Sequence, residues 1–171
     1  MLRALRLIVL FALSVAITGA PAGVGTASPR HGLRSVTCTV VGTAGADTLK
    51  GTSGHDVVCG EGGNDTVEGM GGNDLVYGGK GDDTLDGGYG SDVMHGGSGA
   101  DTFVDFHGTD KLYGDGGDDV CMNGRDGGSG DYLNGGTGSD GYNTDPGDTR
   151  VNSEYLVDPS LCNGWTQHGN H

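Results

Sequence analysis

From Gly42 to Met122 the chain repeats every nine residues without a slip, and this period limits the available folds more than any other feature. The copies begin at Gly42, Gly51, Gly60, Gly69, Gly78, Gly87, Gly96, Asp105 and Gly114. The fourth place is always glycine. The sixth is always aspartate: Asp47, Asp56, Asp65, Asp74, Asp83, Asp92, Asp101, Asp110 and Asp119. The eighth is always apolar: Leu49, Val58, Val67, Val76, Leu85, Met94, Phe103, Leu112 and Cys121. Agreement at three places in nine consecutive copies is not an accident of composition. A period of this length marks a stacked unit that cannot bury its apolar side alone and gains a core only from its neighbours.

Each place in the unit has a local reading. The first five residues are rich in glycine and suit a tight turn that needs left-handed backbone angles. The last part, as in Asp65-Thr66-Val67 or Asp83-Thr84-Leu85, reads as a short strand with β-branched residues. Only the eighth residue is consistently apolar there, and its neighbour at the seventh place, such as Thr66, Thr84 or Thr102, points the other way. One apolar side chain per strand makes a thin core, buried only if strands stack into two sheets that face each other.

Composition says what such a stack requires. The chain has 171 residues, of which 38 are glycine, and carries a formal net charge of −14 with 6% aromatic residues. Large apolar side chains are too few to offset the backbone entropy that so much glycine loses on folding, so a stabiliser from outside the sequence is expected. With 23 acidic against 9 basic residues the chain repels nucleic acid and anionic membrane surfaces. Cations are its natural partners.

The first residues read separately. Met1-Leu2-Arg3-Ala4-Leu5-Arg6 is a basic start, residues 7–17 are an almost purely apolar run, and small residues follow. This is the order of a secretory signal peptide, and the run is shorter than the ~20 residues a spanning helix needs. Residues 1–27 are therefore expected to be an export signal, and the mature protein to be extracellular. Export favours disulfides among Cys38, Cys59, Cys121 and Cys162. Nearest-neighbour pairing, Cys38–Cys59 and Cys121–Cys162, is the favoured connectivity of the three possible. A buried free thiol at Cys121 is the alternative.

The unit resembles the RTX, or hemolysin-type, nonapeptide Gly-Gly-x-Gly-x-Asp-x-apolar-x. The nearest copies are Gly78-Gly79-Lys80-Gly81-Asp82-Asp83-Thr84-Leu85-Asp86 and the two that follow, from Gly87 and from Gly96. The resemblance implies an all-β fold, a right-handed parallel β-roll with short capping segments, in which two nonapeptides make one turn. The aspartates then fall into two columns: Asp47, Asp65, Asp83, Asp101 and Asp119 in one, and Asp56, Asp74, Asp92 and Asp110 in the other. It also implies several calcium ions between successive turns of a column, held by carboxylates and turn carbonyls. Calcium suits such a site because it takes six to eight hard oxygens in tolerant geometry, whereas magnesium wants a tight octahedron and zinc wants nitrogen or sulfur. Pairs inside the run, Asp65/Asp83, Asp83/Asp101, Asp56/Asp74 and Asp74/Asp92, are expected to be best formed. Folding and calcium binding are expected to be one event.

Beyond Met122 the register breaks at Asn123-Gly124-Arg125, a poorer copy carries Asp131, and Gly135-Gly136-Thr137-Gly138-Ser139-Asp140 recovers the motif, so Asp140 is a further candidate ligand. The expected organisation is a linker at 28–35, a capping strand at 36–41, the roll at 42–143, and a C-terminal cap and tail at 144–171. The six histidines have no ligand spacing and read as surface residues. H-E-x-x-H, G-x-S-x-G and P-loop motifs are missing, and no enzyme is expected. The expected function is a secreted calcium-binding module. The alternatives are a calcium-dependent adhesion protein, with Tyr77, Tyr89 and Tyr113 pointing outward toward a protein or glycan partner, and, least favoured, a small secreted enzyme or toxin.

Overall fold

A computed structural model of the chain describes residues 36–104, 107–124, 130–144 and 146–156. These residues form fourteen short strands and no helix, arranged as a parallel β-solenoid. Odd-numbered strands make one sheet: β1 (Val40–Val41), β3 (Val57–Cys59), β5 (Leu75–Lys80), β7 (Val93–Ser98), β9 (Lys111–Gly116), β11 (Tyr132–Asn134) and β13 (Thr149–Val151). Even-numbered strands make the other: β2 (Thr48–Lys50), β4 (Thr66–Glu68), β6 (Thr84–Asp86), β8 (Thr102–Val104), β10 (Val120–Gly124), β12 (Gly141–Thr144) and β14 (Tyr155–Leu156). The chain alternates sheets at every repeat, so two nonapeptides complete a turn, as the resemblance implied. Register follows: Val58 pairs with Val76, Val76 with Met94, and Val67 with Leu85.

The core is the file of eighth-place residues. Leu49, Val58, Val67, Val76, Leu85, Met94, Phe103 and Leu112 form one buried cluster, which Met122 and Leu133 extend. At the ninth copy the pairing of β10 with β8 shifts between Val120 and Asn123, and Met122, at the ninth place, stands in the core file. A bulge of this kind places two residues opposite one. The two columns continue across the interruption after Met122, where the repeating hydrogen bonds span 21 residues in place of the 18 before it.

The two outer faces differ. On the even sheet the seventh place carries Thr48, Thr66, Thr84 and Thr102. On the odd sheet it carries Val57, Leu75 and Val93, and beside them Tyr77, His95 and Tyr113 stack ring on ring at 5.2 and 4.6 Å. Tyr89 stacks instead on His107 in a turn, so the three outward tyrosines split between two stacks. The ends are closed by single strands: β1 on β3, β13 on β11 and β14 on β12. Cys38–Cys59 is a disulfide. Cys162, the Cys121 side chain and residues 1–27, where an export signal is expected, lie outside the described residues.

Candidate metal centre

The glycines of the turn serve two separate demands. The second and fourth places adopt left-handed angles, as at Gly79 (φ 117°) and Gly81 (φ 115°). The first place needs glycine for close approach. A Cβ on Gly78 would lie 2.5 Å from Asp83 Oδ2 and 2.7 Å from the carbonyl oxygen of Gly96, in the next turn of the same column. On Gly69 it would lie 2.7 Å from Asp74 Oδ2 and 2.5 Å from Gly87 O. The missing side chain thus allows a carboxylate oxygen and a carbonyl oxygen to converge.

The aspartates form two hydrogen-bonded ladders. In one, the Asp47 amide donates to Asp65 Oδ1, Asp65 to Asp83, Asp83 to Asp101, Asp101 to Asp119 and Asp119 to Asp140, at 2.8–3.0 Å. In the other, Asp56 donates to Asp74, Asp74 to Asp92, Asp92 to Asp110 and Asp110 to Asp131, at 2.7–2.8 Å. Every candidate from the sequence therefore stands in one of the two columns. The second column gains Asp131, and Asp148, whose Oδ1 accepts from the Gly130 and Asp131 amides. Asp148 lies in a Pro-Gly turn outside the nonapeptide period, so the repeat pattern gives no cue to it.

One oxygen of every carboxylate in the columns after Asp47 and Asp56 is thereby used. The other divides the columns into two kinds. Oδ2 of Asp65, Asp74, Asp83, Asp92, Asp101, Asp119 and Asp140 is buried with no hydrogen-bond partner. In the first two copies a threonine occupies the second place. Thr43 donates from its amide (2.6 Å) and hydroxyl (2.8 Å) to Asp47 Oδ2, and Thr52 does the same for Asp56 Oδ2 at 2.6 and 2.7 Å.

Acidity follows this division. The Thr52 hydroxyl leads in holding Asp56 below the usual carboxylate range, against the opposing effect of burial. Burial pushes Asp65, Asp74 and Asp92 upward, takes Asp83 to about 6, and takes Asp101 and Asp119 to about 7, with neighbouring carboxylates of the column adding to each. A row of buried anions with bare oxygens is unfavourable without a counter-charge.

The donor set fits calcium. Among the described residues no group of three or more His, Cys, Asp or Glu side chains converges. Each turn instead offers one carboxylate with backbone carbonyls, an all-oxygen set that suits a hard ion of high coordination number and offers nothing to zinc. Among the described residues no helix is long and apolar enough to cross a membrane. The family described as RTX calcium-binding nonapeptide repeat (4 copies) matches residues 39–67, 68–103 and 86–121. No curated protein and no solved structure matches the chain.

Proposed function

Because residues 39–121 belong to the RTX calcium-binding nonapeptide repeats, a β-roll that takes up several calcium ions, we propose that calcium binding is coupled to folding of this roll in an exported protein. The carrying observation is the set of seven buried Oδ2 atoms without a partner. We assign calcium to Asp65, Asp74, Asp83, Asp92, Asp101, Asp119 and Asp140; beside Asp65, Asp74, Asp83, Asp119 and Asp140 a carbonyl oxygen of the next turn converges on the same first-place glycine. Calcium supplies there the positive charge that the buried carboxylates lack. The chain's own residues do the rest: the amide ladder orients each carboxylate, and first-place glycines keep the approach open. Without the ion, each added turn places another anion about 4.8 Å from the last, the spacing of stacked strands. At an effective dielectric of about 20 that repulsion is ~3.5 kcal/mol, enough to offset what one buried valine or leucine per strand returns, ~1.5–3 kcal/mol.

Export is supported by the order of charge and apolar residues at 1–27 and by the Cys38–Cys59 disulfide, which persists in oxidising compartments. Circular dichroism in calcium and in chelator tests the coupling: most of the strand signal is expected only with calcium. An undiminished signal in chelator would sink the proposal.

A second reading, a calcium-stiffened face for a protein or glycan partner, is favoured by the apolar and aromatic outer face of the odd sheet, with Leu75 and Val93 beside the Tyr77–His95–Tyr113 stack. It requires cell or glycan binding that vanishes in chelator and in Leu75→Glu.

A further inference from the structure

We propose that the first turn of the roll is a calcium-independent seed on which the calcium-dependent turns assemble toward the C-terminus. The proposal rests on calcium-coupled folding and adds its direction. Three observations carry it.

The first is the pair of threonines. Thr43 and Thr52 give Asp47 Oδ2 and Asp56 Oδ2 two hydrogen bonds each from within the same turn. These donors neutralise the need that calcium meets elsewhere. The hydroxyl also stands at the second place, where later copies have Glu61, Met70, Gly79, Gly88, Gly97 and Asp115 in left-handed angles. Copies with threonine there close the carboxylate, and in those six copies without it Oδ2 of Asp65, Asp74, Asp83, Asp92, Asp101 and Asp119 has no partner.

The second is how the column starts. Asp56 has no earlier aspartate in its own column. Thr39 fills that role: its hydroxyl donates to Asp56 Oδ1 (2.9 Å), and the Val57 amide donates back to Thr39 Oγ1 (2.9 Å). Thr39 also gives its own amide to Val57 O (2.7 Å). Both oxygens of Asp56 are satisfied by hydroxyl and amide groups alone.

The third is the disulfide. Cys38–Cys59 spans 21 residues, slightly more than one 18-residue turn, and lies beside the β1–β3 pairing of Val40 with Val58 and Val41 with Cys59. The crosslink removes chain entropy that a core of few residues cannot offset. The closed turn then presents β3 and β2 as edges onto which β5 and β4 can pair. In a stack whose stability is carried by neighbour contacts, growth from a pre-formed edge avoids a new nucleus.

Hydrogen exchange by mass spectrometry on the full oxidised chain tests this. In chelator, amides of residues 39–59 are expected to exchange about tenfold or more slowly than those of 75–116, and in calcium both are expected to be slow. Reduction of Cys38–Cys59 is expected to remove the slow set in chelator. Equally fast exchange in chelator would overturn the seed while leaving calcium-coupled folding intact. Equally slow exchange in both segments would overturn both. Calcium stoichiometry at saturation gives a separate reading in the folded state: Asp92→Asn is expected to lower the number of bound ions, and Asp56→Asn to leave it unchanged. An equal drop for both would contradict the proposal.

Discussion

The first two copies and the seventh illustrate opposite ways to stabilise a buried carboxylate on the same backbone. Asp56 has its Oδ2 closed by Thr52 and an acidity shifted below the usual range. Asp101 is fully buried, its Oδ2 has no partner, and burial holds its carboxyl near 7. Both aspartates occupy the sixth place and donate the same ladder bond, to Asp74 and to Asp119. At Oδ2 the difference lies in the second place, Thr52 in one copy and Gly97 in the other. A solenoid can therefore set its metal dependence repeat by repeat without changing its fold.

The sharpest way to break this comparison is to neutralise one carboxylate of each kind. In calcium, Asp101→Asn is expected to lower unfolding free energy by ~3–5 kcal/mol, the scale of removing one partner from a buried charge pair. Asp47→Asn is expected to cost less and to leave calcium midpoints unmoved. Equal losses, measured by urea denaturation at fixed free calcium, would erase the distinction.

Acid should act on the calcium-free roll in the sense opposite to that of an ordinary salt-bridged carboxylate. Asp83, Asp101 and Asp119 have folded values of about 6, 7 and 7, above the ordinary value of 3.8. The folded state therefore binds more protons between pH 4 and 7, so its stability rises as pH falls through that window. In chelator, strand signal is expected to grow from pH 8 to pH 5. Calcium affinity is expected to fall over the same range, because protons compete for the same oxygens. A flat chelator profile would show that the unpartnered carboxylates do not limit folding.

Thr52→Val keeps the shape and removes the hydroxyl. A hydrogen bond to a charged group contributes ~1.5–3 kcal/mol, and the loss is expected to be the same in calcium as in chelator, read as quickened exchange at residues 39–59. The smallest effect is at Met70, which takes the second place of its copy with φ 82° and an exposed side chain. Met70→Gly is expected to stabilise the calcium-bound roll by ~0.5–1 kcal/mol, since left-handed angles cost a residue with a Cβ about 1–2 kcal/mol. Glycine's larger entropy loss offsets part of that gain. A fall in the thermal midpoint would contradict it.

Much of this was legible in the sequence because the period is rigid. The core file through Leu112 follows from counting by nine, and the alternation of sheets and the two columns from the resemblance to the RTX nonapeptide. The threonine exception was legible in principle too, since Thr43 and Thr52 replace the second glycine beside an aspartate that a hydroxyl can reach. What escaped is whatever breaks the count. The bulge that gives Met122 the core place depends on strand pairing across β8 and β10. Asp148 continues a column at a spacing of 17 residues from a turn built on Pro146-Gly147, which no nonapeptide pattern selects. The His95 ring between Tyr77 and Tyr113 appears only once strands 18 residues apart are known to be neighbours.

The most direct test of the account is an anomalous difference map from crystals grown in calcium. Peaks are expected beside Oδ2 of Asp65, Asp74, Asp83, Asp92, Asp101, Asp119 and Asp140, and none beside the threonine-closed Oδ2 of Asp47 or Asp56. Peaks at Asp47 and Asp56 as strong as those along the run, or an absence of peaks at the seven, would contradict it.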